Sequence, residues 1–266
     1  MGLRAKALLV DLDNTLVPEL PNYGAAFAAA CRDLARDRAI ELTMLREAVF
    51  SAARDRWLAS PVAVWCVRLG IGSPTSLLSD FPGAGSELAF LRGWAPEYRR
   101  ASWTAGLRSA GLADADGLAV ALSDDFRRRF REHCPPYADA PAAIEALAAT
   151  YTLGVATNGP ADVQRIKLTL SGLRRFFPVL VASSDVGAGK PDPRFFDAAV
   201  ERLRLPLGEV LVVGDSLEKD VAGARAAGLR CVWVNRTGAD RDPACVPDAE
   251  IRSLAELPAL LASDHT

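Results

Sequence analysis

Two carboxylates stand two positions apart in Asp11-Leu12-Asp13-Asn14-Thr15, directly after the apolar run of residues 7–10. One acid of such a pair can attack as a nucleophile while the other donates or removes a proton. Carboxylates held this close repel unless a cation neutralises them, and hard oxygen ligands of this kind suit Mg²⁺. On its own the run also reads as an Asp-rich turn that caps a strand. Three further places bear on the choice. Thr157-Asn158 offers a hydroxyl, an amide and backbone N–H groups in a turn of the type that binds phosphate. Lys190, in Gly189-Lys190-Pro191-Asp192-Pro193, offers one cation just ahead of a helical pattern. Gly214-Asp215-Ser216-Leu217-Glu218-Lys219-Asp220 offers two more acids. Each has a plain reading as a helix cap or a surface lysine. Their succession at the ends of successive apolar runs points to one site.

The elements that must position these groups are legible from the pattern. Residues 6–10, 153–156, 179–182, 210–213 and 231–234 are short apolar runs closed by turn residues, the signature of buried parallel strands. Helical patterns over 140–150, 161–170, 193–203 and 217–227 follow or separate them; the second carries Val163, Ile166 and Leu170 as its apolar face. Strands alternating with helices predict an α/β fold with a doubly wound, Rossmann-like parallel sheet. In such sheets ligands bind outside the carboxyl ends of the strands, where all four motifs fall.

Between the first and second strands the pattern changes. Residues 18–136 carry almost no strand signal and read as amphipathic helices at 25–36, 45–59, 86–103 and 115–133, with a Gly-, Pro- and Ser-rich loop at 70–85. Trp57, Trp65, Trp94 and Trp103 lie here and supply the aromatic core that a helical lobe needs. The predicted organisation is a core domain of residues 1–17 and 137–266 with an inserted all-helical domain, 18–136. Pro18, Pro21 and Gly24 at its start and Pro135 and Pro136 at its end suit segments that leave and re-enter a sheet domain.

Composition excludes several classes. The net charge of -2 on 266 residues, with scattered Lys and Arg, leaves no electrostatic footprint for nucleic acid. Arg127, Arg128, Arg129 and Arg131 read as a solvated helix face. No apolar run is long enough to span a bilayer, and the first one breaks at Asp11, so a cytoplasmic protein without a membrane partner is expected. Cys31, Cys66, Cys134, Cys231 and Cys245 lack metal-type spacing and read as reduced thiols. With only His133 and His265 present, a zinc site or a histidine-based triad is not expected.

Taken together, Asp11 to Thr15, Thr157-Asn158, Lys190, and Gly214-Asp215 with Asp220 resemble the four motifs of the haloacid dehalogenase superfamily. The insert resembles the helical cap of its subfamily I, which implies a mobile lobe that sets specificity. The resemblance implies a phosphatase. Asp11 would be the nucleophile and Asp13 the acid and base, with Lys190 balancing the charge of Asp11. Leu12, Thr157, Asn158 and Lys190 would bind the phosphoryl group. Asp11, Asp13 through its backbone carbonyl, and Asp215 would hold Mg²⁺, with Asp220 in support. Dehalogenases and phosphonate hydrolases of the superfamily lack an acid matching Asp13, so its presence favours phosphoryl chemistry on a small soluble phosphate ester. Two alternatives remain: a sugar-phosphate mutase of the β-phosphoglucomutase kind, and a catalytically idle binding protein on the same fold. The chain is expected to act as a monomer or homodimer.

Overall fold

The computed structural model describes residues 3–263; His265 lies outside them. The chain divides into two compact units. One comprises Met1–Pro18, Pro135–Asn158 and Lys167–Thr266, and the other Glu19–Cys134 with Gly159–Ile166.

The second unit is helical: α1 Glu19–Asp37, α2 Leu42–Leu58, α3 Ala63–Arg68, α4 Ser73–Ser76, α5 Ser86–Ser109 and α6 Ala115–Phe130. Helix α1 starts earlier than the pattern suggests, because Pro21 falls in its first turn, where no backbone donor is required. Helix α4 lies inside the segment read as a loop. Two aromatic groups build the core. Trp57 packs against Phe81, Trp94 and Tyr98, and Phe27 against Trp103 and Phe126. Gly106 lets α5 approach α2: a Cβ there would lie 2.5 Å from Val49. The loop before α5 is fastened by charge. Arg99 donates to the Ser79 carbonyl at 2.8 Å, and Arg127 and Arg131 both reach Asp80. Ser79 Oγ and the Asp80 amide donate to Asp162 at 2.8 and 2.7 Å. Arg127 is therefore an ion partner of this loop and not part of a solvated face, whereas Arg128 and Arg129 bond to Asp125 and Glu132 of their own neighbourhood.

The first unit carries six strands: β1 Ala7–Val10, β2 Thr152–Thr157, β3 Val179–Ala182, β4 Val210–Gly214, β5 Arg230–Val234 and β6 Ala249–Ile251. All pair in parallel, in the order β3-β2-β1-β4-β5-β6. Edge strand β6 was not expected, since Ala-Glu-Ile has no apolar run. The central strands have both faces covered, which is why they read as continuous apolar runs. Alternate side chains enter separate cores. Leu8 and Val10 join Val155, Leu211, Val213, Val232 and Val234 on one face, while Ala7 and Leu9 join Val210, Val212 and Trp233 on the other. Helices α7 Ala140–Ala148 and α12 Leu257–Ser263 pack into the first core. Helices α10 Pro193–Leu203 and α11 Ala222–Ala226 pack into the second. Helix α8 Ala161–Leu170 follows β2, and the short α9 Ser183–Val186 follows β3. Layers on both faces make the sheet doubly wound. The helix expected over 217–227 opens as a wide π-turn, Leu217–Val221, ahead of α11.

All five cysteines are free thiols. Among the described residues, no helix is long and apolar enough to cross a membrane.

Candidate active site

The order in which strands are added reverses between β1 and β4, and the crevice beyond their carboxyl ends is the place for a ligand. Asp11 follows β1 and Asp215 follows β4. The Asp11 amide donates to the Val213 carbonyl at 2.8 Å, holding the start of the acidic turn onto β4. The turn closes tightly. The Asn14 amide donates to Val17, the Leu16 and Val17 amides donate to Leu12, and Asn14 takes the left-handed conformation at φ 62°. Asparagine accepts that conformation at lower cost than most side chains. Leu12 buries its side chain in the core, and its carbonyl is occupied by the Leu16 and Val17 amides.

The carboxylates converge on one ammonium. Lys190 Nζ donates to Asp11 Oδ1 at 2.5 Å and to Asp220 Oδ1 at 2.6 Å, with all three side chains nearly inaccessible. Asn158 fixes the lysine from behind. Its amide nitrogen donates to the Lys190 carbonyl at 2.9 Å, and its Oδ1 accepts from the Lys190 amide at 2.8 Å. Thr157, buried at the end of β2, donates its hydroxyl to the Asn158 carbonyl at 3.3 Å. The π-turn brings Asp220 back towards the strand end, where its Oδ2 accepts from the Ser216 amide at 3.1 Å. Gly214 makes room for it: a Cβ there would lie 2.2 Å from the Asp220 Cγ. Asp215 receives the Thr15 hydroxyl at the long limit of 3.5 Å, and its carbonyl accepts from Trp233 Nε1 at 2.8 Å.

Charge is not balanced here. Carboxylate oxygens of Asp11, Asp215 and Asp220 lie within 4.8 Å of one another, against the single Lys190. Burial pushes Asp11 well above the usual carboxylate range; Lys190 pulls against this, and Asp220 and Asp215 add to it. Burial, and then the charge of Asp220, push Asp215 up to about 6. Burial alone would lower Lys190, but Asp11 and Asp220 outweigh it and hold the ammonium charged. Asp11 Oδ2 is buried with no hydrogen-bond partner. A surplus of hard anionic oxygens, one of them lacking a partner, fits a small divalent cation.

Sequence reasoning did not find three supporting residues. Lys167 of α8, 1% exposed, donates to Asp13 Oδ1 at 2.6 Å. The expected apolar face of that helix was Val163, Ile166 and Leu170; the structure buries Val163, Lys167 and Leu168 and leaves Ile166 and Leu170 half-buried. A lysine in the last turn of a helix reads as a partner for the helix dipole, so nothing in the sequence singled it out. Arg236 donates to the Thr15 carbonyl at 2.8 Å and to both oxygens of Asp139 at 2.8 and 3.0 Å, which braces the acidic turn from outside.

The chain is similar in sequence and fold to known proteins. The family model for haloacid dehalogenase-like hydrolases matches residues 5–228. The phosphoserine phosphatase of Thermus thermophilus is 35% identical over 253 residues, covering 95% of this chain and 97% of that protein. The crystal structure of the putative HAD-hydrolase YfnB from Bacillus subtilis, bound to magnesium, is 28% identical with a TM-score of 0.61, covering 97% and 99% of the two chains. A 2-haloacid dehalogenase from Pseudomonas syringae is 29% identical with a TM-score of 0.62 over the same shares. With the family model matching most of its length and a relative 35% identical across nearly all of both chains, the chain belongs to the haloacid dehalogenase-like hydrolases.

Proposed function

We propose that this hydrolase is a phosphatase that cleaves a small phosphate monoester through a covalent phosphoryl–Asp11 intermediate. The observation that carries this reading is the second acid, Asp13, placed beside Asp11 and held by Lys167. A carbon–halogen bond breaks to release halide, a stable anion that needs no proton. An alkyl phosphate breaks to release an alkoxide, which does. A dehalogenase has no use for Asp13; a phosphatase requires it. The likeness to the Thermus thermophilus phosphoserine phosphatase supports the same choice.

The steps follow from the groups present. Asp11 attacks phosphorus and the bond to the leaving oxygen breaks, while Asp13 gives that oxygen a proton. Water then attacks the phosphoryl group, Asp13 takes a proton from it, and the bond to Asp11 breaks to release phosphate. Lys190 offsets the charge of Asp11, and Thr157 with the backbone N–H groups of Asn158 and Leu12 orients the phosphoryl oxygens, since the Asn158 carboxamide is bonded to the Lys190 backbone. Asp11, Asp215 and the Asp13 backbone carbonyl are the proposed holders of Mg²⁺, which when bound supplies the positive charge that the three carboxylates lack.

The test is phosphate release from a panel of phosphorylated metabolites with Mg²⁺, and halide release from a 2-haloacid in parallel. Asp11→Asn should lower turnover by at least ~10³-fold with the fold intact. Halide release without phosphate release would overturn the proposal. Burst kinetics with a bisphosphate primer would instead reveal a mutase.

A further inference from the structure

Lys167 has been given no part in the proposed steps. It is a fully buried lysine on α8, in a domain where burying an ammonium is costly unless the charge is paired. It donates to Asp13 Oδ1 at 2.6 Å, across 154 positions of sequence. The Asp13 backbone is separately fixed by the tight turn that ends in its bridge with Val17. The ammonium holds one of the two carboxyl oxygens, so the side chain is oriented as well as the backbone.

We infer that Lys167 is a positioning residue that holds the Asp13 carboxyl in the orientation needed for proton transfer to the leaving oxygen. The inference rests on the phosphatase reading and deepens it. In this role Lys167 acts through Asp13, so it matters where Asp13 matters. Proton donation is decisive for a strongly basic leaving group and nearly dispensable for a weakly basic one. A lysine that merely neutralised a buried charge for the sake of the fold would affect all substrates alike.

The experiment compares the full chain with K167M, K167R, D13N and the double variant D13N/K167M, all with Mg²⁺. The substrates are p-nitrophenyl phosphate, whose leaving group needs little protonation, and an alkyl phosphate taken from the panel. The readout is kcat/KM, which covers the steps up to transfer of the phosphoryl group to the enzyme; Tm is recorded for every variant. K167M should lower kcat/KM on the alkyl ester by about 10–100-fold and on the aryl ester by less than about threefold. K167R should recover part of the loss, since it keeps the positive charge. In the D13N background K167M should have no further effect on the alkyl ester, because the group it positions is already gone. If K167M does not fold, the same ratio is read from K167R, which should fall between wild type and D13N. Equal losses on both esters, full alkyl activity in K167M, or an undiminished effect in the D13N background would each overturn the inference. Absence of phosphate release by the unaltered chain on every ester would overturn the phosphatase reading beneath it, a result that no Lys167 variant can mimic.

Discussion

Asp11 and Asp215 face each other across a shortage of positive charge, and their response to pH follows from it. Burial pushes the Asp215 carboxyl up to about 6, whereas an unfolded chain holds it near ~3.9. A carboxyl whose folded pKa is raised contributes stability that is complete below the unfolded value and is lost as pH rises through the folded one. The metal-free chain should therefore lose stability between about pH 4 and pH 6, seen as a falling Tm. Asp215→Asn, which does not ionise, should flatten that stretch. Mg²⁺ should reverse the loss at neutral pH, by about 2.7 kcal/mol at a hundredfold excess over its Kd, or several degrees in Tm. Turnover should vanish on chelation, and Ca²⁺, which prefers longer bonds and more ligands, should not restore it. An equal Mg²⁺ shift in Asp215→Asn would remove Asp215 from the proposed ligand set.

At the scale of elements, the acidic turn depends on a joint that lies behind it. Asp139, at the start of α7, accepts from Arg236, from Ser253 Oγ at 2.7 Å and from the Leu254 amide at 2.8 Å. It ties α7 to the turns after β5 and β6, and Arg236 carries the tie on to Thr15. Burial works to raise the Asp139 pKa, but the hydrogen bonds from Arg236 and Ser253 outweigh it and hold the carboxyl below its usual range. The sign is opposite to that of Asp215. Stability from Asp139 is present above its unfolded pKa and is lost as pH falls through the lower folded value. Asp139→Asn should cost about 1–3 kcal/mol at pH 7, measured by urea unfolding, and should cost progressively less as pH falls below about 4. The same variant should lower kcat, since Arg236 would no longer hold Thr15 in place. Unchanged stability at pH 7 would show that the joint carries no net energy. No local pattern marks Asp139 for this role, because its partners lie about a hundred positions away.

For the whole molecule, the helical unit is proposed to supply substrate selectivity. It contains a cavity of about 740 Å³, large enough for a small metabolite, with Arg46, Glu47, Arg54 and Ser73 among its walls. Arg46→Ala and Arg54→Ala should change the ratio of kcat/KM between two phosphate esters with different leaving groups by about tenfold, the order expected for one polar contact to substrate. Lys190→Ala should depress both alike, because it acts on the phosphoryl group that the esters share. If the cavity variants lower both activities equally, selectivity lies in the sheet unit.

The class of fold was legible in the sequence, and so were the residues proposed for the site. The apolar runs, their closing turn residues and the helical patterns depend on neighbours two to four positions apart, which is what a linear pattern records. The acidic turn, Thr157-Asn158 and Asp215 were legible because each sits at the end of such a run, and Lys190 because it stands just ahead of a helical pattern. Only the tertiary structure decided which of these groups touch. Lys190 reaches Asp11 across 179 positions and Lys167 reaches Asp13 across 154. Those distances are set by the order β3-β2-β1-β4-β5-β6 and by the rotation of α8 that buries a lysine in place of Ile166 and Leu170. Hydrogen bonds and ion pairs act over a few ångströms and depend on direction, so they exist only once strand order and helix rotation are settled.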